Sequence, residues 1–195
     1  MAQDYSLANP ATLTKLKTAG DISQRVLVKV KEACVAGANL LEICQKGDAL
    51  LEEETGKVYK DKKTTKGCVR RDNKLISGIA FPTAISPNNA VAHLSPIASE
   101  PEAEISLKAG DVIKISLGAH IDGFAGVLAD TIVIPAEGSE DVVTGRKADV
   151  LMAAWLASEA AIRLVKPGNK NYAVTDAVAK IADAFGCKPL EGTVV

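Results

Sequence analysis

What this 195-residue sequence lacks narrows it first. No stretch approaches the roughly 18 consecutive apolar residues needed to cross a bilayer, so no membrane-spanning helix is expected. Met1 to Pro10 carry no apolar core of signal-peptide length. The cysteines Cys34, Cys44, Cys68 and Cys187 form neither a Cys-x-x-Cys pair nor a metal-ligand spacing. Free thiols in a reducing compartment are therefore expected, which predicts a cytoplasmic or nuclear protein. There is no internal repeat and no low-complexity tract. Apolar residues at 47% and charged residues at 24% are the balance of a globular domain with a sizeable core.

The net charge of −1 conceals an uneven distribution. Residues 57–74 hold eight basic side chains, Lys57, Lys60, Lys62, Lys63, Lys66, Arg70, Arg71 and Lys74, against Asp61 and Asp72, a local charge of +6 that leaves −7 elsewhere. Such asymmetry points to an anionic partner for one patch. The segment 57–77 has no apolar period and is expected to be an exposed loop. Its bland reading is a solvated loop; its sharper reading is contact with phosphates. Tyr59 is expected to pack its ring against a helix end rather than to stack on a base.

Upstream, Asp21-Ile22-Ser23-Gln24 predicts a capping box opening a helix with Ile22, Val26, Val30, Ala33 and Cys34 on one face, broken by Gly37 and Asn39. A short second helix over Leu40 to Cys44 and a third from Asp48 to Gly56 are expected. Downstream, 78–85 reads as a strand, Pro87-Asn88-Asn89 as a turn, and Lys108 to Asp111 as a turn into a strand from Val112 to Ile121. Asp122-Gly123 predicts a type I′ hairpin into a strand from Phe124 to Ile134. A long helix carrying Val150 to Leu164 and a last one capped by Thr175 and closed at Gly186 follow. Thr193 to Val195 reads as the start of a strand. Helices, then strands, then helices predict an α+β domain with an antiparallel sheet covered on one face.

Several motifs occur in order: Gly78-Ile79-Ala80-Phe81-Pro82-Thr83, Asn88-Asn89-Ala90-Val91-Ala92-His93, Cys44-Gln45-Lys46-Gly47-Asp48, Asp122-Gly123-Phe124, Gly145-Arg146-Lys147-Ala148-Asp149-Val150 and Arg163-Leu164-Val165-Lys166-Pro167-Gly168-Asn169. The first two resemble the substrate-side signature of type 2 methionine aminopeptidases. Together, from about residue 12 onward, they resemble the proliferation-associated, ErbB-receptor-binding protein family, which includes a fungal curved-DNA-binding protein. The Gly-Arg-Lys-Ala-Asp-Val run separates that group from true aminopeptidases. The resemblance implies a pita-bread α+β fold. It also implies a non-catalytic factor that binds ribosomal RNA and the large ribosomal subunit near the peptide exit region, found in cytoplasm, nucleus and nucleolus. Other RNA, DNA or signalling proteins are further implied partners. Members are about twice this long, so residues 1–195 are expected to be the N-terminal half of the pita-bread domain.

The same resemblance exposes two missing carboxylates. Where the peptidases carry a metal-binding Asp in Lys-Ile-Asp-Phe-Gly, this chain reads Lys114-Ile115-Ser116-Leu117-Gly118, and the second Asp position is Val127. A hydroxyl is a poor substitute for a carboxylate, and valine offers no ligand atom. No metal, no cofactor and no enzymatic activity are therefore expected, with His93, Ser116 and Val127 as a vestigial pocket. His93 is either a substrate-orienting histidine or a retained pocket residue without chemistry, and the second is expected. His120 is expected to hold the strand end. Asp111 and Asp122 mimic the metal-ligand spacing of eleven, but both fall in turns; Asp130 stands alone. The loop at 67–77 is longer than the family pattern, and family members often retain Asp where Ser116 stands. The alternatives are a metal-dependent methionine aminopeptidase and a protein-binding adaptor that uses the vestigial pocket. The basic residues named above, from Lys57 to Lys74, are the candidate RNA-binding set.

Overall fold

The computed structural model describes residues 5–59, 77–135 and 143–190. The chain divides into two compact units, 1–139 and 140–195.

In the first unit, helix α1 (Pro10–Ala33) begins where Asn9 Oδ1 accepts from the Ala11 N–H at 3.0 Å and Pro10 occupies the first turn. It therefore starts well upstream of the predicted capping box, and Asp21 is an exposed mid-helix residue. The buried stripe Thr12, Ala19, Ile22, Ser23, Val26, Leu27 and Val30 keeps helical spacing throughout. Its upstream members are small or polar, so apolar periodicity alone does not register them. Helix α2 (Leu40–Gly56) is capped by Asn39, whose Oδ1 accepts from the Glu42 N–H at 3.1 Å. It is one helix rather than the two expected. Gly47 does not break it but makes room: a Cβ there would run into the Thr83 side chain. The adjacent Asp48 reaches across and accepts from the Thr83 N–H at 2.7 Å.

The sheet has three antiparallel strands in the order β1 (Ser77–Pro87), β2 (Val112–Ile121) and β3 (Phe124–Val133). The hairpin predicted at Asp122-Gly123 forms with both residues at positive φ, 55° and 82°, the type I′ requirement, and Ile121 pairs with Phe124. Helix α1 packs over β2 and β3, and α2 over β1. Ile113, Ile115, Leu117, Ala119 and Ile121 of β2 alternate into this helix-covered face and form the core with Ile22, Val26, Leu40 and Leu51. Register shifts occur in β1 between Ile79 and Phe81 and between Phe81 and Ala84, and the second spans Pro82, which has no N–H to give to the ladder.

The second unit is a helix pair, α3 (Arg146–Leu164) and α4 (Asn171–Ala184). Helix α3 begins four residues before Val150, and Thr175 lies inside α4, its hydroxyl donating to Asn171 O, rather than capping it. Gly186 takes the expected positive φ, 61°. Arg146 Nη1 and Nη2 donate to the Phe185 and Gly186 carbonyls at 2.8 and 3.0 Å, tying the start of α3 to the end of α4. That contact gives the Gly-Arg-Lys-Ala-Asp-Val run a structural task. Thr193 to Val195 lie outside the described residues.

Candidate functional site

The face of the sheet opposite α1 and α2 is built by strand alternation. Ser116 lies between Ala84 of β1 and Ala129 of β3 by register, and two positions on Gly118 pairs with Val127. Side chains at 116 and 127 therefore project from the same face on neighbouring strands, as diagonal neighbours within reach of a shared ligand. The frame would bring two carboxylates together; the residues present supply a hydroxyl and an isopropyl group. Val127 also closes over Gly118, where a Cβ would lie 2.9 Å from Val127 Cγ2. The donor set of this face does not fit a dinuclear metal centre. Among the described residues no group of three or more His, Cys, Asp or Glu side chains is placed to hold a metal ion.

The loop after β1 folds back on the strand. Ile85 N–H donates to Leu94 O, Leu94 N–H to Ser86 Oγ, and Ser95 Oγ to Thr83 O. This places the His93 ring 5.1 Å from that of Phe81, centroid to centroid. His93 is exposed and holds φ at 62°, a left-handed conformation uncommon for a residue with a Cβ. His120 does hold the strand end: its Nδ1 accepts from the Gly123 N–H at 3.3 Å, and burial pushes its pKa down, opposed by the nearby Asp122 charge.

The acidic residues that mimic a metal pair are engaged elsewhere. Asp111 accepts from the Lys108 N–H and from Asn88 Nδ2 in the turn before β2. Asp122 pairs with Lys15 at 2.5 Å at the far end of the same strand, roughly 35 Å away at strand rise. Asp130 is not alone, as the sequence suggested: on β3 it meets Lys31 of α1 at 2.6 Å. Alternation directs it to the helix-covered face, where a strand carboxylate finds a helix cation, a pairing that neither residue's local context announces.

Of the candidate basic residues, only Lys57 falls within the described structure; Lys60, Lys62, Lys63, Lys66, Arg70, Arg71 and Lys74 lie outside it, as does Cys68. Lys57 caps the end of α2 and pairs with Glu53 at 2.7 Å and Glu54 at 2.8 Å. Tyr59, expected against a helix end, is partly buried against the core. Cys34 and Cys44 are buried and free, and burial pushes their thiols up to about 11 and about 12. No described helix is long and apolar enough to cross a membrane.

The strand frame with its emptied ligand positions is where comparison with known proteins becomes informative. The model of metallopeptidase family M24 matches residues 14–193. The chain belongs to metallopeptidase family M24. Within that family the relatives are those the motifs indicated. A curved DNA-binding protein of Schizosaccharomyces pombe is 53% identical over 98% of this chain and 46% of its own length. An ERBB-3 binding protein 1 of Solanum tuberosum is 42% identical over 98% of this chain and 46% of its own. A solved structure of a thermophilic Arx1 superposes with a TM-score of 0.81 at 33% identity, over 95% of this chain and 52% of that one. The chain thus has the pita-bread α+β fold of the family and spans about half the length of the curated relatives it matches.

Proposed function

We propose that the protein is a non-catalytic RNA- and ribosome-binding factor. It docks on the large ribosomal subunit near the peptide exit region through basic surface. It acts in ribosome biogenesis, translation and growth control, in the cytoplasm and the nucleus, including the nucleolus. The observation that carries this reading is the substitution at the family's metal frame: Ser116 and Val127 stand on adjacent strands where acidic ligands would be needed. Without those donors the frame is a shape rather than a catalyst. The concentration of +6 charge within residues 57–74 supports an anionic partner, because lysine and arginine that neutralise phosphates release counterions without reading sequence. A relative whose name records DNA binding supports a polyanion.

Replacing Lys62, Lys63, Arg70 and Arg71 with Glu in the whole protein tests this. Co-sedimentation with large ribosomal subunits across a salt series is expected to show affinity at least about tenfold weaker, roughly 1.4 kcal/mol. The salt dependence is expected to flatten, with stability changed by less than about 0.5 kcal/mol. Unchanged affinity and slope would return the segment to a solvated loop. A second reading, a protein-binding adaptor, is favoured by the apolar character of the open face around Phe81 and Val127 and by the ERBB-3-binding name of a relative. It predicts peptide binding that is insensitive to salt and lost on Val127→Asp.

A further inference from the structure

The open face of the sheet has lost more than two ligands; the sign of its charge is reversed. By register and alternation, no described strand position on this face carries a carboxylate, and neither does the loop 88–95 that folds over its β1 end. Asp111 and Asp122 are held in turns, and Asp130 lies on the helix-covered side. A cation is present instead. Lys114 stands directly opposite Thr131 of β3, two positions before Ser116 on the same side of β2. Its Nζ donates to Asn88 O at 2.7 Å, which leaves two of its N–H groups for another acceptor. The Ser116 and Thr131 hydroxyls make no hydrogen bond to another residue. Further along the same face, roughly 13 Å from Thr131 at strand rise, Phe81 and Val127 flank Gly118, with Val127 52% exposed. We propose that this face binds the free C-terminus of a peptide with apolar last residues. Lys114, Ser116 and Thr131 take the carboxylate, and the apolar side chains run towards Phe81 and Val127. The inference rests on the adaptor reading above, whose ligand it names, and is independent of RNA binding.

The charge, the donors and the dimensions each select this ligand. Lys114 is half-buried, and burial pushes its amine pKa down with no carboxylate close enough to oppose the shift. A cation in that position gains from an anion brought to it, because the pair is screened less than one in open water. One cation on a partly apolar face matches one negative charge. A phosphate dianion would leave a charge without a partner there, which is costly away from water. The two hydroxyls beside Lys114 are donors for the remaining lone pairs of a carboxylate. The span of about 13 Å to Val127 is that of roughly four extended residues, longer than a small organic acid. The face is also open, so a bare alkyl chain would stay half in water along it, whereas a peptide backbone is at home there. A lysine that only ties the turn at Asn88 to β2 accounts for one hydrogen bond, not for the neighbouring hydroxyls or the absence of acids.

Fluorescence anisotropy with the whole protein tests this. The probes are two pools of labelled pentapeptides ending in leucine and randomised upstream, one with a free C-terminus and one amidated. The free-acid pool is expected to bind at least about tenfold more tightly, the range of one charge-assisted hydrogen-bonded pair. Lys114→Met is expected to erase that difference. Ser116→Asp is the second variant, for the case in which Lys114→Met weakens the fold. It sets a carboxylate beside Lys114 and should cut free-acid binding at least about tenfold while leaving the amidated pool nearly unchanged. If both pools bind equally, or if neither variant alters the difference between them, the carboxylate site is wrong and the adaptor reading stands. If hexanoate displaces the free-acid pool at concentrations similar to those of an unlabelled pentapeptide, the face takes a small acid and the peptide assignment is overturned. If neither pool binds the unaltered protein, this inference and the adaptor reading fall together, and co-sedimentation with ribosomal subunits decides the RNA-binding reading separately.

Discussion

Gly126 on β3 meets the backbone of α1 directly, and its substitution by alanine is the most informative test of the frame that presents the open face. A Cβ at position 126 would lie 2.5 Å from Gly20 N and 2.8 Å from the Ala19 carbonyl carbon, both backbone atoms of α1. Backbone cannot rotate out of the way as a side chain can, so α1 must move off the sheet. Overpacking of this kind costs about 1–3 kcal/mol. Ser23 adds to it. Its hydroxyl donates to Gly126 O at 2.6 Å and accepts from the Ala119 N–H at 2.9 Å, and it is fully buried. Displacing α1 lengthens both bonds, each worth about 1 kcal/mol net. The expected loss is about 3–5 kcal/mol, a large part of a typical domain's stability, with a fall in Tm on the order of 10 °C. Gly20→Ala is the paired control. Gly20 faces Gly126 with its backbone, yet a Cβ on Gly20 would meet nothing within 4 Å. In a helix interior that change should stabilise by about 1 kcal/mol. Thermal and urea unfolding of the two variants measures both. If Gly126→Ala shifts Tm by less than about 2 °C, or if Gly20→Ala destabilises as much as Gly126→Ala, the close approach of α1 and β3 described above is wrong.

Asp122→Asn keeps a residue tolerant of positive φ at the hairpin but removes the ion pair to Lys15, whose side chain is 13% exposed; a loss of about 1–3 kcal/mol is expected, partly recovered by adding Lys15→Met, as read from urea midpoints. Because burial raises the Cys34 and Cys44 thiols to about 11 and about 12, both stay protonated at pH 8. In a Cys68→Ser background Cys187 should react first with a thiol reagent, and early labelling of Cys34 or Cys44 would contradict their burial. The same two thiols make stability depend on alkaline pH. A folded pKa above the unfolded value near about 8.5 means the contribution is complete below pH 8 and is lost as pH rises from about 9 towards 12, so the urea midpoint should fall over that window. Protein purified from cells supplied with cobalt or manganese should carry far less than one metal per chain by elemental analysis; near-stoichiometric metal together with methionine release from a peptide would overturn the non-catalytic reading.

Some of this protein is written locally in its sequence. The β2–β3 hairpin is legible because strand alternation and the Asp122-Gly123 turn are properties of adjacent residues, and the observed pairing of Ile121 with Phe124 follows from them. The paired positions 116 and 127 are legible as well, through motif spacing. Once strand and turn lengths are set, antiparallel register places both on one face. Helix bounds are less legible where their cause lies at a distance. α1 begins at Pro10 because Thr12 and Ala19 are buried under the fold, and α2 runs through Gly47 because β1 approaches there. Small residues look like breaks in a one-dimensional pattern and are contacts in three dimensions. Partners of charged groups belonged wholly to tertiary structure. Asp130 finds Lys31 across 99 residues, Asp122 finds Lys15 across 107, and Glu54 gathers cations from two helices. Electrostatic pairing depends on distance in space, and chain order alone does not contain it.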